Sequence, residues 1–157
     1  MFRLRVTSPA TLDAKGRVKL PSTLLKQLGE GSDSDFILKL DDERGILRLY
    51  PIKVWNELED RLNNELDPFN PDHEDFMSLF FLDIREVSKD TSDRINIPNY
   101  MIDAVGLKGE VMVHAYQNKI EIWPLHKYEE RKRVFSADYR DLSRKIFTSK
   151  SEQGGGS

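Results

Sequence analysis

Two short segments of the chain place a carboxylate and a guanidinium at the same spacing. Asp13 precedes Arg17 by four residues, and Asp90 precedes Arg94 by four. Each motif continues with an apolar, a polar and an apolar residue and then proline, and the second motif lies 77 residues after the first (94 minus 17). A tight turn between strands with a cation beside it suits a loop that contacts nucleic acid.

The two carboxylates could also be considered as an acid/base pair. Each is followed by an arginine that would keep it ionised and unreactive. The histidines lack the spacing of metal ligands, and neighbours such as His73, Glu74 and Asp75 would point in different directions on a helix. No glycine-rich phosphate loop and no nucleophile elbow is recognisable. The sequence therefore predicts no enzyme, no metal site and no cofactor.

Further cations surround the first motif. The planar guanidinium of Arg17 presents a fork of N–H donors, and it is the candidate for contact with a guanine edge or the phosphate beside it. Lys15 and Lys19 are candidates for phosphate contacts. Gly16 allows a tight turn and a close backbone approach. Asp13 is interpreted as the turn or pairing partner that holds Arg17, because a bare carboxylate repels phosphate. The alternative is that Asp13 and Arg17 form an ion pair that serves only the fold.

Charge is distributed unevenly along a chain whose net charge is −3. Residues 1–26 contain six basic residues, among them Arg3 and Arg5, and a single acidic one. Residues 57–93 contain twelve acidic and three basic residues. This segregation indicates a basic face, with Arg3 and Arg5 on it, that could meet a polyanion. An ordinary solvated surface is the alternative.

The similarity between the two segments extends past the motifs and indicates an internal repeat. Helices are predicted over 22–28 and 99–105, and each is expected to end at a glycine in the αL conformation, Gly29 or Gly106. Alternating apolar residues predict two strands after each helix, at 36–40 and 46–50 in the first copy and at 111–115 and 120–123 in the second.

Apolar residues at helical spacing connect the two copies. Trp55, Leu58, Leu62 and Leu66 predict one face of a helix that begins at Pro51. A second helix is predicted further on, with Asp72 as its N-cap. The charged stretch 129–145 predicts a C-terminal helix. The aromatic residues on the connecting helices suit a core or a subunit interface better than a cofactor site.

These features resemble the MraZ family of bacterial proteins. The resemblance covers roughly residues 1–135 and rests on Leu12 to Arg17, on Leu49-Tyr50-Pro51 with Trp55, and on Ile120 to Trp123. It implies an α+β fold of two tandem AbrB-like repeats, of the swapped-hairpin or double-split β-barrel type, with linking helices. The implied segments are 1–67 for the first repeat with its following helix, 68–82 for a linking helix, 83–135 for the second repeat, and 136–157 for a C-terminal helix and flexible tail.

The resemblance also implies a function. Members of this family are sequence-specific regulators of the division and cell wall gene cluster, and bind repeated promoter boxes in double-stranded DNA as ring-shaped homo-oligomers. The loops with the Asp-x-x-x-Arg motif carry the DNA contacts. A cytoplasmic, nucleoid-associated protein is expected. The chain has no apolar run of about 18 residues and no signal peptide, so no membrane association is expected.

The second copy of the motif departs from the family pattern. Asp93 stands where the family has glycine, and Ile102 stands where a basic residue is common. Arg94 and Asp90 are therefore interpreted either as DNA contacts or as part of a purely structural repeat. The alternative function is an AbrB-like protein-interaction or antitoxin-type module without specific DNA binding.

Overall fold

A computed structural model describes residues 2–29 and 34–154, with side chains up to residue 148. The chain divides after Pro124 into two compact units. In its described part, the second unit is a single helix, which is α5 below. The last three residues of the predicted flexible tail lie outside the described residues.

The elements follow the same order in both repeats, strand, short strand, short helix and hairpin. The first repeat consists of β1 (Leu4–Thr11), β2 (Arg17–Lys19), α1 (Ser22–Leu28), β3 (Asp35–Asp41) and β4 (Ile46–Pro51). Two helices connect it to the second, α2 (Ile52–Glu65) and α3 (Pro71–Phe80). The second repeat consists of β5 (Ile84–Ser88), β6 (Arg94–Asn96), α4 (Asn99–Val105), β7 (Glu110–Gln117) and β8 (Lys119–Pro124), and α5 (Leu125–Gly154) follows it.

The short helices α1 and α4 have the predicted bounds, and each begins directly after a proline with φ near −60°. Gly106 ends α4 in the predicted αL conformation, with φ 71° and ψ 39°. The same prediction for Gly29 is wrong. Its φ of 96° is positive, but its ψ of 152° sends the chain away from α1 in an extended direction.

The prediction of Asp72 as an N-cap is also wrong. The cap of α3 is Asn70, whose side-chain oxygen accepts hydrogen bonds from the backbone N–H groups of Asp72 and His73. Pro71 takes the first helical position, where its missing N–H costs nothing and its fixed φ already suits a helix. The helix therefore begins before Asp72.

The two repeats exchange strands. Six strands form one antiparallel sheet in the order β1-β7-β8-β4-β3-β5, and β2 pairs with β6 in a second sheet. Each edge strand thus pairs with the hairpin of the other repeat, β1 with β7 and β5 with β3. This confirms the α+β class, and the exchange is what a swapped-hairpin fold requires. The repeats are consecutive in sequence but interleaved within the first unit.

One hydrophobic core lies between the two sheets. Val18 and Ile95, the central residues of β2 and β6, are fully buried against the inner face of the large sheet, where Leu38, Leu47 and Val113 are also fully buried. Burial of this inner face fixes the register of the strands, because a shift by one residue would bring polar side chains into the core.

Equivalent residues of the two repeats meet at the centre of the large sheet. Strands β4 and β8 pair Arg48 with Glu121 on the outer face. The guanidinium Nη1 of Arg48 lies 3.0 Å from Glu121 Oε2, and Glu121 is only 3% exposed. Arg48 Nε also donates to Asp41 at 3.1 Å. A buried charged pair therefore lies where the two halves of the sheet join.

Candidate nucleic-acid interface

The first Asp-x-x-x-Arg motif forms a closed turn before β2. Asp13 Oδ1 accepts hydrogen bonds from the backbone N–H groups of Lys15 and Arg17, each at 2.9 Å. Across the turn, the Asp13 N–H donates to the carbonyl of Arg17 at 2.9 Å, and the Gly16 N–H donates to the carbonyl of Asp13 at 3.0 Å. One carboxylate thus satisfies the turn's backbone donors, as aspartate does in an Asx-turn.

The same carboxylate orients the arginine. Arg17 Nε donates to Asp13 Oδ2 at 2.9 Å. The two terminal nitrogens of the guanidinium make no hydrogen bond to any described residue. An arginine held through Nε presents its terminal fork in a fixed direction, which lowers the entropy lost when the fork binds a ligand. The interaction between Asp13 and Arg17 therefore fixes the direction of the guanidinium and leaves its terminal nitrogens without a partner among the described residues.

The second motif repeats this geometry. Asp90 Oδ1 accepts from the N–H groups of Ser92 and Arg94, each at 2.9 Å, and Asp90 Oδ2 accepts from Arg94 Nε at 3.0 Å. Asp93 takes the place of Gly16 and has a φ of 62°. Aspartate tolerates this conformation better than most residues, so the turn survives the loss of glycine.

The pKa values of both motif carboxyls lie below the usual range. For Asp13 the main cause is the hydrogen bond from the Arg17 N–H, and for Asp90 it is the hydrogen bond from the Arg94 N–H; partial burial opposes both shifts. Because these folded-state pKa values are lowered, their stabilising effect is complete above the unfolded-state pKa of about 3.9 and is lost as the pH falls through the folded-state values.

We expect the free energy of unfolding attributable to these turns to be constant between about pH 5 and pH 8 and to decline only below about pH 4. Urea titrations at several pH values measure it. The double variant Asp13→Asn, Asp90→Asn should show a weaker decline below pH 4. An unchanged decline in that variant would mean that other carboxyl groups cause the acid sensitivity.

Strands β2 and β6 form a short two-stranded ribbon with a basic outer face. Its register pairs Arg17 with Asn96, Val18 with Ile95 and Lys19 with Arg94. Directly opposed residues share a face of an antiparallel pair, so the buried Val18 and Ile95 point inward and the other four point outward. We call these four residues, Arg17, Lys19, Arg94 and Asn96, the ribbon face. Three of the four are cations.

Two lysines are available to an anion, Lys19 on the ribbon face and Lys15 beside it. Lys15 and Lys19 are exposed, and neither forms an ion pair with a residue in the part of the chain that the structure describes. At the second turn, by contrast, Lys89 Nζ lies 3.3 Å from Asp93 Oδ1. The first turn therefore contributes unpaired positive charge, whereas the cation nearest the second turn is paired.

Gly16 lies beneath the ribbon face and is buried. Its φ is 79°, and a Cβ added to it would lie 3.3 Å from both the Ile102 Cδ1 and the Ile97 carbonyl oxygen. Its own carbonyl accepts a hydrogen bond from the Ile97 N–H at 2.8 Å. The close backbone approach at Gly16 is thus made to the second repeat of the same chain.

Gly16→Ala is expected to lower the free energy of unfolding by about 1–2 kcal/mol, because alanine at positive φ is strained and its Cβ meets backbone. Gly109→Ala is the matched control, since Gly109 has a φ of 61° but nothing within 4 Å of an added Cβ. Urea titration of both variants separates the two effects. Equal losses would show that the contact with Ile97 and Ile102 contributes nothing.

Arg3 and Arg5 lie away from the ribbon face. Leu4 and Val6 point into the core, so Arg3 and Arg5 lie on the opposite face of the large sheet. The first turn follows the C-terminal end of β1. Arg5 lies six residues before that end, which corresponds to about 20 Å of strand. Together with Gln117 and Asn118 they line an open crevice. The structure therefore brings Lys15, Arg17 and Lys19 together but not Arg3 and Arg5.

Sequence reasoning missed Asn96. Its side chain is exposed beside Arg17 although 79 residues separate the two (96 minus 17). The internal repeat offers a signal that could have identified it, because the 77-residue offset aligns Asn96 with Lys19.

Two other kinds of function, metal binding and membrane insertion, have no support among the described residues. Among the described residues, no three or more histidine or carboxylate side chains are grouped closely enough to hold a metal ion. Within the same ranges, no helix combines the length and the apolar character that crossing a membrane requires.

Comparison with known proteins identifies similar chains. Residues 80–145 match the family model described as "MraZ protein, putative antitoxin-like". The chain is 34% identical to the "Transcriptional regulator MraZ" of Christiangramia forsetii, over 93% of this chain and 94% of that protein. It is 35% identical to the protein of the same name from Bacteroides fragilis, over 83% and 82% of the two chains, and 28% identical to that of Coxiella burnetii, over 85% and 88%.

Proposed function

The chain belongs to the MraZ family, and on this premise we propose that it is a DNA-binding transcriptional regulator that contacts double-stranded promoter DNA through the ribbon face. The observation that carries the proposal is the pairing of β2 with β6, which gathers three cations on one outward-facing surface. A two-stranded ribbon is narrow enough to enter the major groove.

Each residue of the surface has a role that its chemistry supports. Arg17, held through Nε, directs its terminal fork at a base edge, where guanine offers O6 and N7 as acceptors. Lys15 and Lys19 neutralise phosphates. Arg94 has the same geometry as Arg17 but lies beside Asp93, so we assign it a weaker contact. Asp13 and Asp90 hold the arginines and do not touch DNA.

Arg3 and Arg5 belong to a different surface. Because they point away from the core that the ribbon covers, a duplex bound by the ribbon face does not reach them. We propose a cytoplasmic, nucleoid-associated protein without catalytic activity, which regulates division and cell wall genes.

We further propose that the chain assembles into a homo-oligomeric ring. Apolar side chains remain exposed on both units, which favours association. Among the described residues they are Phe69, Phe76, Leu79, Leu82 and Tyr100 in the first unit, and Val134, Phe135, Tyr139, Leu142, Ile146 and Phe147 on α5. Light scattering coupled to size exclusion should give a mass of several subunits, and a single species of 18.3 kDa would contradict the ring.

Assembly into a ring predicts that neighbouring subunits bind two promoter boxes on the same duplex together. One ribbon makes few phosphate contacts, so one box should bind weakly, whereas a second box on the same side of the duplex meets a neighbouring ribbon at high effective concentration. The boxes are expected as direct repeats roughly 10 bp apart. Duplexes with one box, two boxes in phase and two boxes half a turn out of phase are titrated in parallel. Tighter binding is expected only for the in-phase duplex, and equal binding of all three would contradict tandem reading.

The exposed aromatic side chains also support a second candidate, a protein-interaction or antitoxin-type module. Phe69 is 92% exposed, an unusual position for phenylalanine. An interface centred on aromatic residues depends little on salt, unlike one that neutralises phosphates. The salt dependence of binding therefore distinguishes the two functions.

A further inference from the structure

The two ends of the ribbon face carry different chemistry. Arg17 lies opposite Asn96 at one end, and Arg94 lies opposite Lys19 at the other. The 77-residue offset makes Arg17 equivalent to Arg94 and Lys19 equivalent to Asn96. The arginines and their aspartate partners are thus duplicated, whereas the residue opposite each arginine is not. The ribbon is symmetric in backbone and asymmetric in side chains.

Asn96 is placed to contact a ligand beside Arg17. It is exposed, and the hydrogen bonds of the described residues do not include one to its side-chain amide. Its Oδ1 lies 3.7 Å from the position that a Cβ on Gly16 would take, so the amide lies against the first turn. The amide keeps its donor and its acceptor available, and Arg17 is the residue directly opposite it in the ribbon.

We propose that Asn96 is a base-reading residue and that its difference from Lys19 gives the DNA box its direction. This inference rests on the proposed function. An asparagine amide can accept from N6 of adenine and donate to N7 of the same base, whereas a lysine only donates and binds guanine or phosphate. Arg17 and Asn96 together then read a guanine and a nearby adenine, and Arg94 and Lys19 contact the other half of the box.

The spacing of the pair suits neighbouring bases. Directly opposed residues in an antiparallel pair have Cα atoms about 4.5–5.5 Å apart, and successive base pairs rise about 3.4 Å. Two side chains leaving the ribbon at this separation reach adjacent base pairs with little splaying. The guanine and the adenine are therefore expected next to each other in the box.

The asymmetry of the side chains determines how the ribbon can be oriented on its DNA site. A ribbon with the same pair at both ends would read a site whose two halves are related by twofold symmetry, as symmetric DNA-binding proteins do. With asparagine at one end and lysine at the other, the two orientations of the ribbon on a box are no longer equivalent. Subunits related by a ring rotation can then bind direct repeats in one orientation.

Selection from a random duplex library tests the inference with the full-length protein and two variants. Asn96→Ala should lose the preference for adenine at one position beside a guanine by about tenfold. Lys19→Asn gives both ends the same pair and should select a site with twofold symmetry. Thermal unfolding checks that both variants fold like the unchanged chain.

If Asn96→Ala selects the same motif as the unchanged chain, Asn96 does not read a base, although the proposed function stands. If Lys19→Asn still selects a directional motif, the source of direction lies elsewhere. If the unchanged chain selects no motif at all, sequence-specific binding is wrong and the role of Asn96 falls with it.

Discussion

Arg17→Ala is expected to abolish specific DNA binding while the protein remains folded. The substitution removes the fork that Asp13 holds in place, together with one positive charge of the ribbon face. A lost base contact costs about 1–3 kcal/mol for each subunit engaged, so a complex that uses several subunits loses most of its specificity. Arg17→Lys restores the charge but not the planar fork, and should recover only non-specific binding.

The comparison with Arg94→Ala tests whether the two repeats contribute unequally to DNA binding. Arg94 has the same aspartate geometry, but Asp93 lies next to it and Lys89 is paired with Asp93. The structure adds Lys19 opposite Arg94, which moderates this difference without removing it. Arg94→Ala should therefore weaken binding less than Arg17→Ala.

Titration of a two-box duplex by fluorescence anisotropy measures both losses. Arg44→Ala is the matched control, because it removes the same charge from the exposed turn between β3 and β4. Equal losses for Arg17→Ala and Arg94→Ala in folded proteins would refute the inequality of the repeats.

Arg48→Ala is expected to have the largest effect on stability. It leaves Glu121 in the centre of the large sheet without its counter-charge, and it also removes the partner of Asp41. Trp123 Nε1 donates to Glu121 Oε1 at 3.1 Å, which compensates only part of the charge. Breaking a buried ion pair by removing one partner costs about 3–5 kcal/mol.

Urea titration of Arg48→Ala, with Arg44→Ala again as the control, measures this loss. The control should change the free energy of unfolding by no more than about 0.5 kcal/mol. The double variant Arg48→Leu, Glu121→Leu removes both charges and should be closer in stability to the unchanged chain than Arg48→Ala is. A loss for Arg48→Ala no larger than that of the control would show that the pair does not hold the two repeats together.

The sequence was most informative about the elements that depend on interactions between residues close together in the chain. The bounds of α1 and α4 follow from a proline before each helix and a glycine after it. The turn at Asp13 depends on hydrogen bonds within five residues, so the spacing of Asp13 and Arg17 was enough to predict a turn. Where a local signal competed with another, as with Asp72 and Asn70, the position of Pro71 decided the outcome.

Long-range pairing could not be predicted in the same way. The basic residues near the N-terminus were grouped because they are close in sequence, but the alternation of β1 places Arg3 and Arg5 on the other face of the sheet. The contact of Arg48 with Glu121 and the position of Asn96 beside Arg17 both depend on strands of one repeat pairing with strands of the other. No local pattern specifies which copy pairs with which.

We propose that the ribbon face binds promoter DNA through its cations and that Arg17 reads the sequence. The most direct test is the affinity for duplex DNA from just upstream of the protein's own gene, measured against a scrambled duplex between about 50 and 200 mM salt. Two engaged ribbons with about three phosphate contacts each predict a slope of roughly −5 in log K against log salt, and a preference for the upstream duplex that Arg17→Ala removes. An affinity that does not change with salt, or that is equal for both duplexes, would show that the ribbon face does not bind promoter DNA in this way.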